Sequence, residues 1–255
     1  MDIKVVFVAI FVVTSVTAHA SAISCNLPPS VWCSSRQVAI KCNVEKQCDL
    51  YFSSHSKSKA ELVNFTLYME SLCPYCREFV NNKLWPSFKA IGEIMNLAIV
   101  PYGNAIEIKK GNRWKFMCQH GKEECHGNLI ETCAIHYNKN ASAFMPFIYC
   151  IESSNSLPRN IAHKCAKKFG LDYSQIISCV KGRVGNKLEH KMAKKTMALD
   201  PPQKYVPWVT LNGVHTESIQ TAATENLIKL ICDTYQGSRK PKACLPSKKK
   251  TSSRA

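Results

Sequence analysis

The alternation of apolar and polar positions predicts two strands in the first half of the chain. Residues 61–72, ELVNFTLYMESL, alternate in polarity and are rich in β-branched and aromatic side chains, and residues 94–104 form a second run of this kind. Between them, residues 77–91 carry apolar side chains at helical spacing, and Pro86 should kink or divide that helix. The order strand, helix, strand predicts an α/β fold.

The middle of the chain contains three patterns with helical spacing, at residues 123–138, 160–180 and 185–199. Gly170 and Gly182 should mark helix ends, because glycine commonly follows the last turn of a helix. We therefore predict a helical insertion at about residues 105–200, between the first strands and the last one.

A third strand is predicted near the end of the apolar pattern, in 205-YVPWVTLNGV-214. Asn212-Gly213 is a strong turn signal, and residues 219–235 read as a closing helix. We predict a cis Val206–Pro207 bond that places Pro207 beside the active site. The alternative is a trans proline that opens an edge strand.

The N-terminus is typical of a secretory signal peptide at residues 1–20. Lys4 precedes an apolar run at residues 5–13, and Ala18-His19-Ala20 fits a small-residue cleavage site. That run is too short for a transmembrane helix, and no later run is long enough to be one. We therefore expect a soluble chain without a transmembrane segment in the secretory pathway.

Residues 25–48 contain four cysteines with seven, eight and five residues between them. The segment has little apolar mass, so it needs cross-links to hold its shape, and its cysteines should pair among themselves. Its spacing and its Trp32-Cys33 pair resemble a saposin A-type module, which implies sorting, an interaction or a propeptide. A disulfide-stapled cap is the alternative. We place this small helical, disulfide-rich module at residues 21–52 and a polar linker at 53–59.

The chain is strongly basic, with 34 Lys and Arg against 18 Asp and Glu and a net charge of +16. Most of this charge should simply keep the surface solvated. Lys248, Lys249 and Lys250 lie in a tail at residues 239–255 that is predicted to be disordered. No nucleic-acid partner is expected, because a secreted chain without an aromatic–basic motif lacks such a site. Affinity for anionic glycans or lipids is a weaker alternative.

All 14 cysteines follow the signal peptide, so most should form disulfides. Cys73 and Cys76 stand apart, because C-P-Y-C falls where the first strand meets the first helix. Strand, C-x-x-C and helix together are typical of a thiol–disulfide reaction centre. A zinc site is the weaker interpretation of Cys73 and Cys76. It stays open because Cys118 with His120, and Cys125 with His126, offer further zinc ligands later in the sequence.

The position of Cys73 at a helix N-terminus favours its thiolate, because unpaired N–H groups and a partial positive charge lie there. Pro74 suits the first helical position. Cys73 should be exposed and attack substrate, whereas the shielded Cys76 should resolve the mixed disulfide. The helix terminus supplies at most ~2 kcal/mol. Reactivity near pH 5 needs about 5 kcal/mol, so further hydrogen bonds from the Tyr75–Cys76 region are expected.

The stretch 118-CQHGKEECHGNLIETC-133 resembles the signature of the gamma-interferon-inducible lysosomal thiol reductases. Further similarities lie at residues 62–76, 100–105 and 201–213. This resemblance implies a thioredoxin-like domain at residues 60–238 that contains the insertion. A helical insertion before the cis-proline strand is also similar in topology to the bacterial periplasmic disulfide oxidoreductases.

The resemblance implies that Cys73 and Cys76 reduce protein disulfides in an acidic lumen, lysosomal or endosomal, with secretion also open. Within the signature, Cys118, Cys125 and Cys133 should form structural disulfides, and Gln119, His120 and Asn128 should satisfy local backbone groups. His120 as a proton shuttle is the alternative. Gly121 and Glu124 belong to the same signature and receive no separate role.

The sequence contains neither a G-x-G-x-x-G motif nor a P-loop, so no bound cofactor is predicted. The reductant should be a small external thiol, and no metal is expected. Asn64 and Asn140 begin glycosylation sequons. Two alternatives to a reductase stay open: a disulfide oxidase or isomerase of the same fold, and a cationic binding or defence protein with a closed, inert dicysteine.

Overall fold

The computed structural model describes Cys25 and residues 32–33, 36–55 and 61–245 of the chain, with the side chains of residues 51–55 left aside. The signal peptide predicted at residues 1–20 lies outside the described residues, as do Lys248, Lys249 and Lys250.

The described part of the N-terminal segment contains the helices α1 (Arg36–Lys41) and α2 (Glu45–His55). Disulfides Cys25–Cys42 and Cys33–Cys48 close within it, which confirms the predicted internal pairing. The linker predicted at residues 53–59 is wrong at its start, because α2 continues to His55. Serine and histidine lower helix stability only slightly, so a helix already anchored at Cys48 can continue through them.

The N-terminal segment packs on the rest of the chain. The apolar side chains that it buries belong to one continuous cluster with the core of the main domain: Trp32, Cys33, Ala39, Val44 and Cys48. From the polar linker we expected the N-terminal segment and the main domain to pack little against each other, and this expectation was wrong. A segment this poor in apolar residues gains stability by sharing a larger core.

The central sheet has three strands in the order β2-β1-β5: β1 (Val63–Met69), β2 (Met95–Pro101) and β5 (Trp208–Leu211). β1 pairs parallel with β2 and antiparallel with β5. Alternate residues of β1 are buried, as its sequence pattern predicts. The Val206–Pro207 bond before β5 is cis, as predicted, and positive φ angles at Asn212 and Gly213 form the predicted turn.

The helical stretch after β1 begins at Pro74. Helix α3 (Pro74–Phe79) runs into a π-helical turn (Val80–Leu84) and then into α4 (Trp85–Ile91). Pro86 is the second residue of α4, just after the π-helical turn, and has no N–H for a regular helical bond. The helix is thus divided next to this proline, as predicted.

The insertion begins with a β-hairpin, so the prediction of a purely helical segment was wrong there. Strands β3 (Ile106–Lys110) and β4 (Arg113–Met117) pair antiparallel, with Gly111 at a positive φ in the turn. Local pairing across a tight turn outcompetes helix formation in this lysine-rich stretch. Five helices follow: α5 (Lys122–Tyr137), α6 (Ala141–Glu152), α7 (Pro158–Phe169), α8 (Tyr173–Lys181) and α9 (Arg183–Met197).

The helices of the insertion differ from their patterns in two places. Helix α6 was not predicted, because it is apolar nearly all round and contains Pro146. The pattern at residues 160–180 forms two helices rather than one, separated at Gly170 in a left-handed conformation. Gly182 likewise separates α8 from α9, so both predicted helix ends are confirmed.

Four disulfides fasten the main domain: Cys118–Cys125, Cys133–Cys179, Cys150–Cys165 and Cys232–Cys244. The last one ties residue 244 to the closing helix α10 (Glu217–Thr234). The disorder predicted from residue 239 is therefore wrong as far as residue 245, because a disulfide removes most conformational freedom there. Among the described residues, none of the helices has the length and apolar character of a membrane span.

The strand order, the dicysteine at the start of a helix and the cis proline before β5 together form an α/β, thioredoxin-like domain. The helical insertion extends it, and the disulfide-rich N-terminal segment precedes it.

A chain that begins near Lys59 should keep its dithiol chemistry, because none of the described disulfides joins residues 25–48 to the main domain. Its thermal midpoint should fall by about 2–4 °C for each kcal/mol by which packing of the N-terminal segment stabilises the full chain. Thiol titration and thermal unfolding, with the full chain as control, measure both effects. Loss of the reactive dithiol, or a bridge from Cys25 or Cys33 to a cysteine beyond Cys76, would contradict this division.

Candidate active site

Cys73 and Cys76 are the only cysteines without a disulfide in the described part of the chain. Cys73 lies at the N-cap of α3, with Pro74 at the first helical position. Cys76 is fully buried and Cys73 keeps 5% of its surface accessible, so the expectation of an exposed Cys73 was wrong. The neighbouring Ser71 is completely buried and bonds to the backbone of α5, so Cys73 follows a segment that is packed inside the protein.

The two sulfurs have opposite acidities. A hydrogen bond from the Cys76 side chain lowers the pKa of Cys73 to about 6, against the opposing effect of burial and with help from the N–H groups of Cys76 and Tyr75. These are the additional hydrogen bonds expected from the sequence. Burial raises the pKa of Cys76 far above that of an ordinary thiol, and the adjacent Cys73 raises it further. One sulfur is therefore a nucleophile while the other keeps its proton.

The segment before Cys73 is held by the first turns of α5. The backbone N–H of Ser71 donates to Asn128 Oδ1 at 2.9 Å, and Ser71 Oγ donates to the backbone oxygen of Glu124 at 3.1 Å. At Gly127, a Cβ atom would lie only 2.2 Å from Ser71 Oγ. This close approach fixes the backbone that leads into the reactive cysteine.

An ionisable cluster lies beside Cys73. The Nδ1 atom of His120 makes a short hydrogen bond with the Glu124 carboxylate and lies 3.5 Å from Glu70 Oε2. Burial lowers the pKa of His120, but the Glu124 hydrogen bond and the negative charges of Glu124, Glu70 and Cys73 together raise it. Burial raises the pKa of Glu70 to about 7.

A groove of about 230 Å³ opens next to the dicysteine. Tyr75, which is 72% exposed, and Pro207 both line it, so the residue between the two cysteines faces the cis-proline loop. Gln220 fixes that loop by donating to the Pro207 oxygen at 3.1 Å and accepting from the Val209 N–H at 3.0 Å. Contact between Pro207 and Cys73 itself stays a prediction.

Comparison with known proteins identifies the family. Residues 64–169 match the family model described as gamma interferon inducible lysosomal thiol reductase. The chain is 43% identical to the gamma-interferon-inducible lysosomal thiol reductase of Carassius auratus, over 93% of this chain and 92% of that protein. It is 36% identical to the protein of the same name from Mus musculus, over 71% of each. This chain belongs to the gamma-interferon-inducible lysosomal thiol reductase family.

The chain is therefore a thiol–disulfide oxidoreductase, which contradicts the non-enzymatic alternative. The Carassius auratus match covers so much of the chain that it extends into the cysteine-rich segment at residues 25–48. Among solved structures, Chlamydia trachomatis DsbA is similar with a TM-score of 0.48 and 14% identity, over 65% of this chain and 86% of that one.

The family signature has a mixed structural role. Cys118, Cys125 and Cys133 form the expected disulfides. Asn128 satisfies a backbone group as predicted. The prediction was wrong for Gln119, which accepts from the Asn104 side chain at 2.8 Å, and for His120, which bonds a carboxylate.

The turn before α5 explains why His120 bonds a carboxylate and not a backbone group. Gly121 adopts a φ of 82°, and Glu124 reaches back to the backbone N–H of His120, so the ring faces acidic side chains instead of the backbone. Glu70 was missed by the sequence analysis, although a carboxyl group three residues before C-P-Y-C, at the end of a buried strand, is a signal for it.

The cluster has side chains of the kind that coordinate a metal ion, since the ligand atoms of Glu70, His120 and Glu124 lie within 4.8 Å of one another. In this structure both Glu124 oxygens already accept hydrogen bonds from His120, one from its backbone and one from its ring. The cluster is thus held together by its own hydrogen bonds.

A second acidic pair lies beneath the dicysteine and was also missed. Glu131 and Glu152 are fully buried, and no donor of the described chain reaches their carboxyl oxygens, which is consistent with a proton held between them. Burial raises the pKa of Glu131 to about 8 and that of Glu152 well above its usual value. The Arg77 guanidinium opposes both shifts while donating to the backbone oxygen of Glu152 at 3.0 Å.

The two sequon asparagines are exposed. Asn64 lies on the central strand and accepts from Asn96 Nδ2 at 2.6 Å, whereas Asn140 caps α6 by accepting from the Ser142 N–H at 2.9 Å. Glycosylation at either position stays a prediction.

Alkylation of the reduced protein by iodoacetamide should modify Cys73 with a midpoint near pH 6, because the thiolate fraction rises through the pKa of about 6. Cys76 should stay unmodified up to at least pH 9. Mass spectrometry of the modified peptides measures both, with Cys73→Ser as control. A Cys73 midpoint at the ordinary thiol value would contradict the proposed hydrogen bonding.

Asn128→Ala should destabilise the fold by about 1–3 kcal/mol, because the buried Ser71 N–H loses its only acceptor in the described structure. Asn160→Ala, at an exposed position of α7, should change stability by less than about 0.5 kcal/mol. Urea unfolding measures the two variants. Equal stabilities would show that the Ser71–Asn128 contact does not hold this segment.

Proposed function

We propose that the chain reduces disulfide bonds of protein substrates in an acidic lumen of the lysosomal or secretory pathway. The observation that carries this proposal is the Cys73 sulfur, which is activated by Cys76 and by helix N–H groups. The relatives from Carassius auratus and Mus musculus, whose names describe lysosomal thiol reductases, support the compartment and the direction of the reaction.

Reduction proceeds by two thiol–disulfide exchanges. The Cys73 thiolate attacks one sulfur of the substrate disulfide, forms a mixed disulfide and releases the other sulfur as a thiolate, which takes up a proton. Cys76 then loses its proton and attacks the Cys73 sulfur. The mixed disulfide breaks, and the second substrate sulfur leaves as a thiolate that takes up the proton lost by Cys76. The substrate is released as a dithiol, and its two added electrons come from the sulfurs of Cys73 and Cys76, which are oxidised to the Cys73–Cys76 disulfide.

The lowered pKa makes this chemistry feasible in an acidic compartment. An ordinary thiol with a pKa of ~8.5 has only ~0.03% thiolate at pH 5. With a pKa of about 6, Cys73 has roughly 10% thiolate at the same pH. This increase of more than a hundredfold is the principal contribution of the site to the reaction.

The groove between Tyr75 and Pro207 suits an extended protein segment next to its disulfide. Because Cys73 keeps only 5% of its surface accessible, compactly folded substrates approach poorly. Unfolded chains are therefore the preferred substrates. A small external thiol reopens the Cys73–Cys76 disulfide, and this role follows from the lack of a nucleotide motif in the sequence.

One observation favours the oxidase alternative. Hydrogen bonds that stabilise the Cys73 thiolate stabilise the reduced enzyme and so make its disulfide a stronger oxidant. The direction in the cell then depends on the supply of reducing thiol. The reduction potential, measured against glutathione at acidic and neutral pH, discriminates between the two directions.

Cys76→Ser should trap a mixed disulfide between Cys73 and a denatured disulfide protein, because no second thiol can resolve it. Cys73→Ser should trap nothing and should not reduce the substrate. Non-reducing gels and peptide mapping measure trapping, and turnover at pH 5 and pH 7.5 measures reduction. Equal trapping by both variants would reverse the assignment of the two cysteines.

A further inference from the structure

The loop closed by the Cys118–Cys125 disulfide presents His120 to the turn that carries the reactive cysteine. The Nδ1 atom of His120 lies 3.5 Å from Glu70 Oε2, and the backbone oxygen of Glu70 accepts from the Cys73 N–H at 3.3 Å. The ring is 35% exposed, whereas Glu70 and Glu124 are fully buried. His120 is thus anchored from the protein side and partly open to solvent.

Polar contacts outside the loop fix its position. Gln119 accepts from Asn104 Nδ2 at 2.8 Å, and the Asn104 side-chain oxygen accepts from Gln203 Nε2 at 3.2 Å. The Asn104 backbone N–H donates to Glu70 Oε1 at 2.6 Å. Glu70 Oε2 has no hydrogen-bond partner and faces His120. The signature loop and the active-site turn therefore form one connected polar network.

At acidic pH, some of the ionisable groups around this network are neutral and others are charged. Glu70, from the end of β1, has a pKa of about 7 and is neutral at pH 5. Glu124, from α5, holds the proton on His120 by hydrogen bonding. On the other side of Cys73, Glu152 from α6 and Cys76 from α3 both have raised pKa values and stay neutral. The charge that favours the Cys73 thiolate is that of His120.

We propose that the family signature holds His120 as a positive charge beside Cys73, so that the attacking thiolate persists in an acidic compartment. His120 acts through Cys73 and is a positioning residue that need not touch substrate. This inference deepens the proposed function and rests on it. It also gives the signature one shared purpose, since the disulfide, Gly121 and Gln119 shape the loop and Glu124 keeps the ring protonated.

His120→Asn tests the charge while keeping a hydrogen-bond donor near the position of Nδ1. The alkylation rate of Cys73 at pH 5 should fall at least about fivefold, as expected when a partly screened charge is removed. At pH 9, where Cys73 is fully ionised in both proteins, the rates should be equal. A purely structural role would lower the rate at every pH or leave the profile unchanged.

His126→Asn is the matched control. His126 lies next to Cys125 in α5 but does not belong to the cluster of Glu70, His120 and Glu124. Its alkylation profile should coincide with that of the unmodified protein. Thermal unfolding of both variants verifies that they fold. A His120→Asn profile that coincides with the control would overturn the proposal.

A measurement on the unmodified protein covers the case in which the variant fails to fold. Because coupling between two sites is reciprocal, the Cys73 thiolate must raise the pKa of His120 as much as His120 lowers that of Cys73. The His120 ring should therefore titrate at lower pH after Cys73 and Cys76 are oxidised to a disulfide, as followed by NMR. Identical titration in both redox states would overturn the proposal.

The proposed function is measured separately, by reduction of a denatured disulfide protein with the unmodified chain. If the unmodified chain reduces no disulfide, the proposed function fails. If it does so and the His120→Asn profile is unchanged, only the role of His120 fails.

Discussion

A negatively charged sulfur in a nearly dry position is the constraint on which the active site depends. Water reaches little of a Cys73 thiolate that keeps 5% of its surface accessible, so the protein must supply most of the donors and countercharge. Helix α3 supplies backbone N–H groups, and Cys76 supplies its thiol proton. The Cys76 thiol donates only while it stays protonated, which its own burial ensures.

The need for fixed donors explains why so much structure converges on a short segment. A hydrogen bond to sulfur is lost if the turn moves by a fraction of an ångström, and α5 therefore packs directly onto Ser71. Cys133–Cys179 ties α5 to α8, so a disulfide reinforces the same helix that supports the site. The insertion is thus a support for the dicysteine as well as an extension of the fold.

Features that depend on local sequence were predictable. The alternation of β1, the proline at the start of α3 and the glycine at the end of α7 each act within a few residues, so their structural consequences are local. The internal pairing of the N-terminal cysteines followed from an even count in a segment without a core. The hairpin at residues 106–117 and helix α6 were missed, because one is short and basic and the other is apolar on nearly all sides.

The sequence by itself determined the chemistry: a C-P-Y-C dithiol between a strand and a helix, a proline before the last strand and a family signature. Only the tertiary structure decided how acidic each sulfur is and which groups face it. Glu70, His120 and Glu152 come from separate elements, and their pKa values depend on burial and on distances that no local pattern encodes. Electrostatic interactions act through space, so the charge state of the site follows from the packing of the fold.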